Sequence, residues 1–424
     1  LPMTLTPKQR VDQIVENGLC TGCGLCQAAA GDHLIKVQKG TSGYLVPIVS
    51  EDIDHATADL VHRICPGVHP VGLPTKLIAT DAKVDNVWGP WQRMARTWAG
   101  DAHQRHIGAT AGVLTALACY LLTSKQVDFI LHAKPHSTEP SFGEMHISTT
   151  PEQVLQGSGS RYGPTAPLIA IEKVLERNQP FAFIGKPCDL AGLRNYAEED
   201  DRVNELVKFW LTPVCGGYLP PDSTDAFYRR MGVEPEQVTG LRYRGHGCPG
   251  PTRITTEEKV VDAHYLDFWG DDESMWDMPF RCKVCPDGIG EAADIAAADT
   301  WILGSPNRED SATDLGTNAV IARTTVGTTL LAEASAAGAL VIERDITPDH
   351  MSIYQTHQMQ KKYAAWPRYQ GLQDAGRLFP NAERLRIKEL AAEMPDVVNA
   401  QQRQGTLDRV IAGKADQPTP KPCI

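Results

Sequence analysis

Cys20, Cys23 and Cys26 stand at strict two-residue intervals in CTGCGLC, and a lone Cys65 follows, with Pro66 after it. Three close thiolates plus a remote Cys-Pro are how a ferredoxin-type 4Fe-4S cluster is held, because a cubane needs four soft sulfur donors converging from different directions. Gly22 and Gly24 favour a backbone that wraps such a cluster and turns amide N–H groups toward its sulfurs. Structural zinc is the alternative, but it prefers two separated knuckles, and three cysteines at this spacing crowd one hemisphere of the ion. The usual Cys-Pro three residues further on is absent. Ala28, Ala29, Ala30 and Gly31 stand there, which fits one cluster at this end of the chain. Electron transfer is the chemistry these residues predict.

A second set of sulfurs is more dispersed. Cys188 follows FAFIGKP and Cys215 follows VKFWLTPV, each at the end of an expected strand and before turn-forming residues. Ligands gather at the carboxyl ends of parallel strands, so both thiols are expected to face one crevice. Cys282 and Cys285, in RCKVCPD, bring the number to four, with Cys248 of GHGCPGP competing with Cys215 for the last place. A single strand-end cysteine is ordinarily a small buried hydrophobe, and a bare CxxC also serves as a redox disulfide. Cys119, inside an apolar run, is read as core, and Cys423, in the Pro-rich tail, as having no fixed role.

A third signal is HIGATAGVLTALACYLL, where Gly108, Thr110 and Gly112 read as a helix start whose free N–H groups and positive dipole end suit a phosphate. Close helix packing explains the same glycines. No GxGxxG follows a strand, and GSGSRYG at 157–163 has a different spacing, so a conventional dinucleotide fold is not indicated.

The elements that must position these groups follow from length and periodicity. A chain of 424 residues is enough for two or three domains. Residues 1–90 form a cysteine-bearing, Gly/Pro-punctuated unit. In residues 91–345, VDFILHA, a helix near 165–177, PFAFIGKPCD, a helix near 190–197 and VKFWLTPVCGG alternate as in an α/β core with a partly parallel sheet. Residues 346–424 are a helical extension, with a charged helix or pair over 378–411. The expected fold class is an α/β (α+β) core with a small N-terminal ferredoxin-like iron-sulfur domain and a helical C-terminal segment. Trp88, Trp91 and Trp98 are expected to bury apolar area at the first junction. EEDDR at 198–202 and GDDES at 270–274 read as solvated turns.

Composition narrows the partners. A formal charge of −11 without a basic stripe argues against nucleic acid. The longest apolar run, 111–122, is too short to span a bilayer. The start LPMTLTPKQR carries no apolar signal segment, and the ligand-like spacing of the cysteines points to reduced thiols, hence to the cytoplasm.

Taken together, CTGCGLC, IGATAGVLTAL, GSRYGP at 159–164, FIGKPCDLAGLR at 183–194, PVCGG at 213–217, CKVCPD at 282–287 followed by ADIAAAD, and NAVIARTTVG at 318–327 resemble the coenzyme F420 hydrogenase/dehydrogenase beta-subunit family of iron-sulfur flavoproteins, over roughly residues 15–345. RYRGHGCPGPTR and FRCKVCPDGIGEAAD mark a divergent branch. The resemblance implies a flavin, usually FAD, and 4Fe-4S clusters. It makes Gly108, Ala109, Thr110, Gly112, Val113, Ser160, Arg161, Tyr162 and Gly163 flavin-contacting candidates, Asn318 a further cofactor-binding candidate, and Cys188, Cys215, Cys282 and Cys285 the ligands of a core cluster. Lys186 would contact a flavin phosphate or tune that cluster. The implied activity is a reductase passing electrons from a one-electron donor such as ferredoxin, through the Cys20/Cys23/Cys26/Cys65 cluster and the core cluster, to FAD and on to a conjugated or ring C=C bond of a small organic substrate. His106, Tyr162 and His246 are the candidates for the accompanying proton transfer. The alternative is a beta subunit of a larger redox complex, or a homo-oligomer, exchanging hydride with F420 or a nicotinamide.

Overall fold

The computed structural model describes residues 5–270 and 276–417; Asp271–Ser274 of the acidic GDDES run and Cys423 lie outside them. The chain opens with α1 (Pro7–Glu16), begun by a reciprocal cap in which Thr6 and Gln9 each bond the other's backbone, and burying Val11, Ile14 and Val15 on one face. Then come α2 (Leu25–Ala30), an antiparallel hairpin of β1 (Ile35–Lys39) and β2 (Leu45–Val49), and α3 (His55–Ile64). Cys20 and Cys23 lie in the loop between α1 and α2, Cys26 in the first turn of α2, and Cys65 closes α3. A short hairpin, β3 (Lys83–Asp85) and β4 (Gly89–Trp91), leads into the central sheet.

That sheet is built from β5 (Arg93–Ala99), then, past α4 (Ala102–Ile107) and α5 (Val113–Thr123), from β6 (Phe129–Pro135) and β7 (Gly143–Ser148). After α6 (Pro151–Gln156) and α7 (Ile171–Leu175) it continues through β8 (Phe181–Ile184), α8 (Pro187–Tyr196), α9 (Asp201–Leu206) and β9 (Val207–Pro213). An excursion follows: α10 (Pro221–Arg230), the antiparallel trio β10 (Val238–Arg242), β11 (Thr252–Thr256) and β12 (Val260–Ala263), then α11 (Tyr265–Trp269) and α12 (Phe280–Lys283). The sheet is completed by β13 (Ile295–Asp299), β14 (Asn318–Ala322), α13 (Thr325–Ala336) and β15 (Leu340–Asp345), and the chain ends in α14 (Pro348–Tyr354), α15 (Thr356–Asp374), α16 (Ile387–Ala392) and α17 (Asp396–Ile411).

The eight strands run in the order β15-β5-β14-β13-β9-β8-β6-β7. The middle four, β13, β9, β8 and β6, are mutually parallel, and both flanks are antiparallel. FAFI, IAAAD and NAVIA are near-continuous apolar runs because helices or chain cover both faces there. On one face Leu117 and Leu121 of α5 pack on Ile130, Leu211, Ile295 and Val320. On the other, Leu190 and Leu193 of α8 meet Phe181, Phe183 and Trp210, and Cys23, Leu25 and Ile64 join the same core. The N-terminal unit is thereby anchored to the sheet. It also shares a core with the C-terminal helices, Val11, Ile35 and Val61 packing with Tyr369, Leu372 and Val410.

Three expectations need correction. The helix near 165–177 shrinks to α7, because residues 158–169 run as loop against the CTGCGLC segment, where the Leu168 N–H bonds the Cys23 carbonyl. The helix expected to open at Gly108 opens at Val113: Gly108 closes α4, Gly112 takes φ +69° as the first cap of α5, and residues 108–112 form the turn between the two. The span 378–411 is helical only in α16 and α17, and the longest helix of the C-terminal extension, α15, lies before it.

Candidate functional site

Cys20, Cys23, Cys26 and Cys65 line one cavity, walled by Val11, Ile14, Val37, Val61 and Ile64. Its loop is held by two left-handed glycines, Gly22 (φ +70°) and Gly24 (φ +85°); a Cβ on Gly24 would stand 2.7 Å from Ile169, so no other residue fits without moving the sheet-side loop. Amide N–H groups turn to sulfur: Gly22 donates to Cys20 Sγ at 3.4 Å, Leu25 and Gln27 serve Cys23 and Cys26, and Gly67 and Val68 serve Cys65. Burial, then the neighbouring sulfurs, pushes the Cys23 thiol up to about 12 and raises Cys20 and Cys26 as well. Four buried sulfurs that disfavour one another's charge are stabilised when a cationic centre sits among them.

Cys188, Cys215, Cys282 and Cys285 line a second cavity. Cys188 is in the first turn of α8, just past β8, and Cys215 lies two residues past β9, so adjacent parallel strands present both at their carboxyl ends. Cys282 is on α12 and Cys285 follows it. The Cys215 backbone is clamped, its N–H bonding the Gly288 carbonyl at 2.7 Å and its carbonyl accepting from Gln358 Nε2 at 2.7 Å. Burial and then Cys215 push the Cys282 thiol up to about 12, while Lys361 and Arg281 work the other way. Cys248 is not among the residues around this cavity. It is 2% exposed and stands by Gly316, at the Thr110 turn. Lys186 lines the cysteine cavity and pairs with Asp189 at 2.8 Å; burial opposes its charge, but Asp189 and the Cys188 and Cys215 sulfurs outweigh it and raise the ammonium above its ordinary range.

The two cavities share a wall, since Cys20 and Thr21 line both. Among the described residues no three His, Cys, Asp or Glu side chains are close enough to hold a single metal ion. One zinc would draw its sulfurs to about 3.8 Å from each other. Four sulfurs ringing a cavity suit instead a cluster with volume of its own, so both donor sets fit 4Fe-4S groups.

The flavin candidates gather elsewhere, around Arg244. Its guanidinium bonds Thr110 Oγ1 at 3.0 Å, Tyr162 Oη at 3.3 Å and the Asp299 carboxylate, and Thr110 also donates to Asp299. Trp301 and Tyr265 lie against its face, at 4.5 and 5.1 Å. Ser160 and Arg161 pass beside this strand-turn, Arg161 Nη1 bonding the Leu241 carbonyl, while Gly163 sits so tightly on Ser141 that a Cβ would overlap its carbonyl. Burial draws the Arg161 guanidinium down to about 10. Its Nε and that of Arg244 are buried without partners among the described residues. Arg244, tied to Thr110 just before the uncapped N-terminus of α5, and Arg161 thus leave cationic donors of the kind that suit the anionic diphosphate of a dinucleotide. Asn318 differs: its amide is spent on the Ala298 carbonyl inside the sheet, at 3.0 Å. His106 and His246 stack edge to face, 5.4 Å apart, on the outer side of the same turn, and both are exposed. Burial, then Arg242, lowers the His246 pKa.

Several residues that serve these sites carried no signal in the sequence. Arg281, Lys361, Asp287 and Tyr218 line the second cavity. Arg323 of NAVIARTTVG is fully buried and bonds the carbonyls of Ile289, Gly290, Trp88 and Pro90, and Glu291 is gripped by Lys362 and Arg386. Both fix the strap after Cys285. Long-range partners of this kind have no spacing rule, and only the basic residue directly before Cys282 could have hinted at its role.

Two family models match the chain in series. Both describe the beta subunit of coenzyme F420 hydrogenase/dehydrogenase, its N-terminal part matching residues 94–172 and its C-terminal part residues 178–347. Together they span more than half of the 424 residues. The chain belongs to the coenzyme F420 hydrogenase/dehydrogenase beta-subunit family. As a member it is an oxidoreductase with an electron-transfer role. A chain from a xenon-derivatised F420-reducing [NiFe] hydrogenase complex of Methanosarcina barkeri is similar in fold, with TM-score 0.53 at 18% identity, covering 68% of this chain and 95% of that one. No curated protein matches at a significant level. Both family models begin after the first cysteine set, so Cys20, Cys23, Cys26 and Cys65 lie outside the matched segments. No described helix is long and apolar enough to cross a membrane.

Proposed function

We infer that this family member is a cytoplasmic iron-sulfur flavoprotein that carries electrons between a one-electron donor such as ferredoxin and an organic acceptor whose conjugated or ring C=C bond is reduced. One observation carries the reading: a cavity that gathers Cys20, Cys23, Cys26 and Cys65 and one that gathers Cys188, Cys215, Cys282 and Cys285 share the wall formed by Cys20 and Thr21. Two 4Fe-4S groups would supply one-electron steps and FAD the change from single electrons to hydride. The N-terminal unit, residues 1–90, acts as the ferredoxin-like entry domain; residues 91–345 hold the second cysteine set and the flavin, and residues 346–424 brace both.

The chain's own residues divide the work. Backbone amides of Gly22, Leu25, Gln27, Gly67 and Val68 stabilise negative charge on the first sulfurs, and Lys186 with Lys361 does so beside the second. Arg161, Arg244 and the start of α5 bind and orient the diphosphate. His106, Tyr162 and His246 are the groups placed to hold a proton near that turn.

A second reading, a beta subunit exchanging hydride with F420 or a nicotinamide inside a larger complex, is favoured by the fold neighbour, a chain of a multi-subunit hydrogenase complex. Anaerobic purification with iron, sulfide and flavin counted per chain tests the first. About eight irons and one flavin, bleaching together on reduction, support it; four or fewer irons, or no flavin, would sink it. A copurifying redox subunit would move the assignment to the second reading.

A further inference from the structure

One buried cation stands between the two cysteine sets. Arg281, 3% exposed, is the residue of α12 directly before Cys282 and lines the second cavity. Its Nη2 reaches the other way and donates, at 2.9 Å, to the carbonyl of Pro66, the residue after Cys65. Its Nε is buried with no hydrogen-bond partner among the described residues. Pro66 is itself fixed on its far side, because it sits on the bare backbone of Gly192 in α8, where a Cβ would come within 3.1 Å of its ring.

A guanidinium taken from water without a counter-charge costs several kcal/mol, so a buried one marks where negative charge belongs. No carboxylate among the described residues stands against Arg281. With Cys188, Cys282 and Cys285 it shares the lining of the second cavity. Lys186, another cation of the second cavity, is placed differently, being neutralised by Asp189.

We propose that Arg281 is the positioning residue that couples the two cluster sites, its single fixed charge lying beside both sets of sulfurs and holding both at similar readiness to accept an electron. When one electron moves across the shared wall, one site is oxidised by one and the other reduced by one, with no bond or proton changed. A charge common to both leaves that exchange nearly level, whereas a charge beside one alone would trap the electron there. The proposal rests on the two-cluster reading above.

The test uses the full-length chain purified anaerobically, with iron and sulfide counted first and both midpoint potentials then read by EPR-monitored titration. Arg281→Gln removes the charge, and both potentials are expected to fall, each by a factor of about ten in the reduction equilibrium, or about 59 mV for one electron. A shift of only one potential, or of neither, in a variant with wild-type iron content overturns the proposal. Should that variant fail to load iron, Arg281→Lys decides. A lysine keeps a point charge but loses the fork that spans Pro66 and the second cavity, so the two potentials must separate; two unchanged potentials overturn the coupling. A wild-type chain without about eight irons overturns the parent reading as well, and the iron count distinguishes that failure from one specific to Arg281.

Discussion

Arg244 grips Asp299 with both terminal nitrogens, Nη1 at 3.0 Å from Oδ2 and Nη2 at 3.1 Å from Oδ1, while its own side chain is only 3% exposed. Asp299 is the last residue of β13 and Arg244 lies just past β10, so this pair ties the three-stranded excursion to the central sheet. Burial opposes the guanidinium's charge, and Asp299 more than restores it.

Asp299→Asn therefore leaves a buried cation without its counter-charge. The expected loss of stability is about 3–5 kcal/mol, the range found for breaking one partner out of a buried pair. Denaturant unfolding of the variant beside wild type checks this. A loss under about 1 kcal/mol, the size of a surface ion pair, would show that water already reaches Arg244.

The assignment of the second sulfur set is tested by counting iron. Cys188→Ser, Cys215→Ser and Cys282→Ser each remove a donor from the same cavity, and each is expected to drop iron from about eight to about four per chain. Cys248→Ser touches the Thr110 turn instead and should leave about eight. Loss of iron from the Cys248 variant with retention in the Cys215 variant would reverse the choice of fourth ligand.

The cysteine spacing was legible because ligand runs are local, and β6, β8 and β9 were legible because strands buried on both faces spell continuous apolar runs. What stayed hidden was nonlocal or exceptional. α15 has Pro367 in its interior and turns Gln358 and Lys362 inward, so neither periodicity nor propensity announces it. Those two polar residues are buried because they serve the Cys215 carbonyl and Glu291, partners far away in sequence. The helix expected at Gly108 starts later because Gly108 closes α4 and Gly112, with its left-handed φ, caps α5, a division that the run of small residues does not spell out.

Stability should fall on mild acidification through His132. This residue of β6 is buried against His146 of β7, its Nε2 2.7 Å from Ser148 Oγ, and burial, then His146, lowers its pKa from 6.5 to about 4. A histidine depressed in the folded state binds its proton more readily when unfolded, so its contribution is complete above pH 6.5 and is lost as pH drops toward 4. The full loss is roughly 3 kcal/mol at 1.36 kcal/mol per pH unit. Unfolding midpoints between pH 7 and 4.5 should decline in wild type and decline less steeply in His132→Asn, where His357, lowered to about 4 by burial, keeps part of the slope; equal slopes in the two proteins would remove His132 as a cause.

The turn before α5 gives a test of the flavin site that leaves the cysteines untouched. At Gly112 the backbone is left-handed, and a Cβ would stand 2.3 Å from the Gln104 carbonyl oxygen, so Gly112→Ala combines a conformational penalty of about 1–2 kcal/mol with a clash against α4. The first turn of α5 must tilt or slide to relieve it, which displaces the free N–H groups from Thr110 and Arg161. Flavin per chain is expected to fall several-fold while iron stays at the wild-type count, because neither cysteine cavity includes any residue from 108 to 113. A variant that unfolds would lose both together, and circular dichroism identifies that case. Undiminished flavin in a folded Gly112→Ala protein would mean that the ring and its diphosphate are held away from this helix, and with it Arg161 and Arg244 would lose their assigned role.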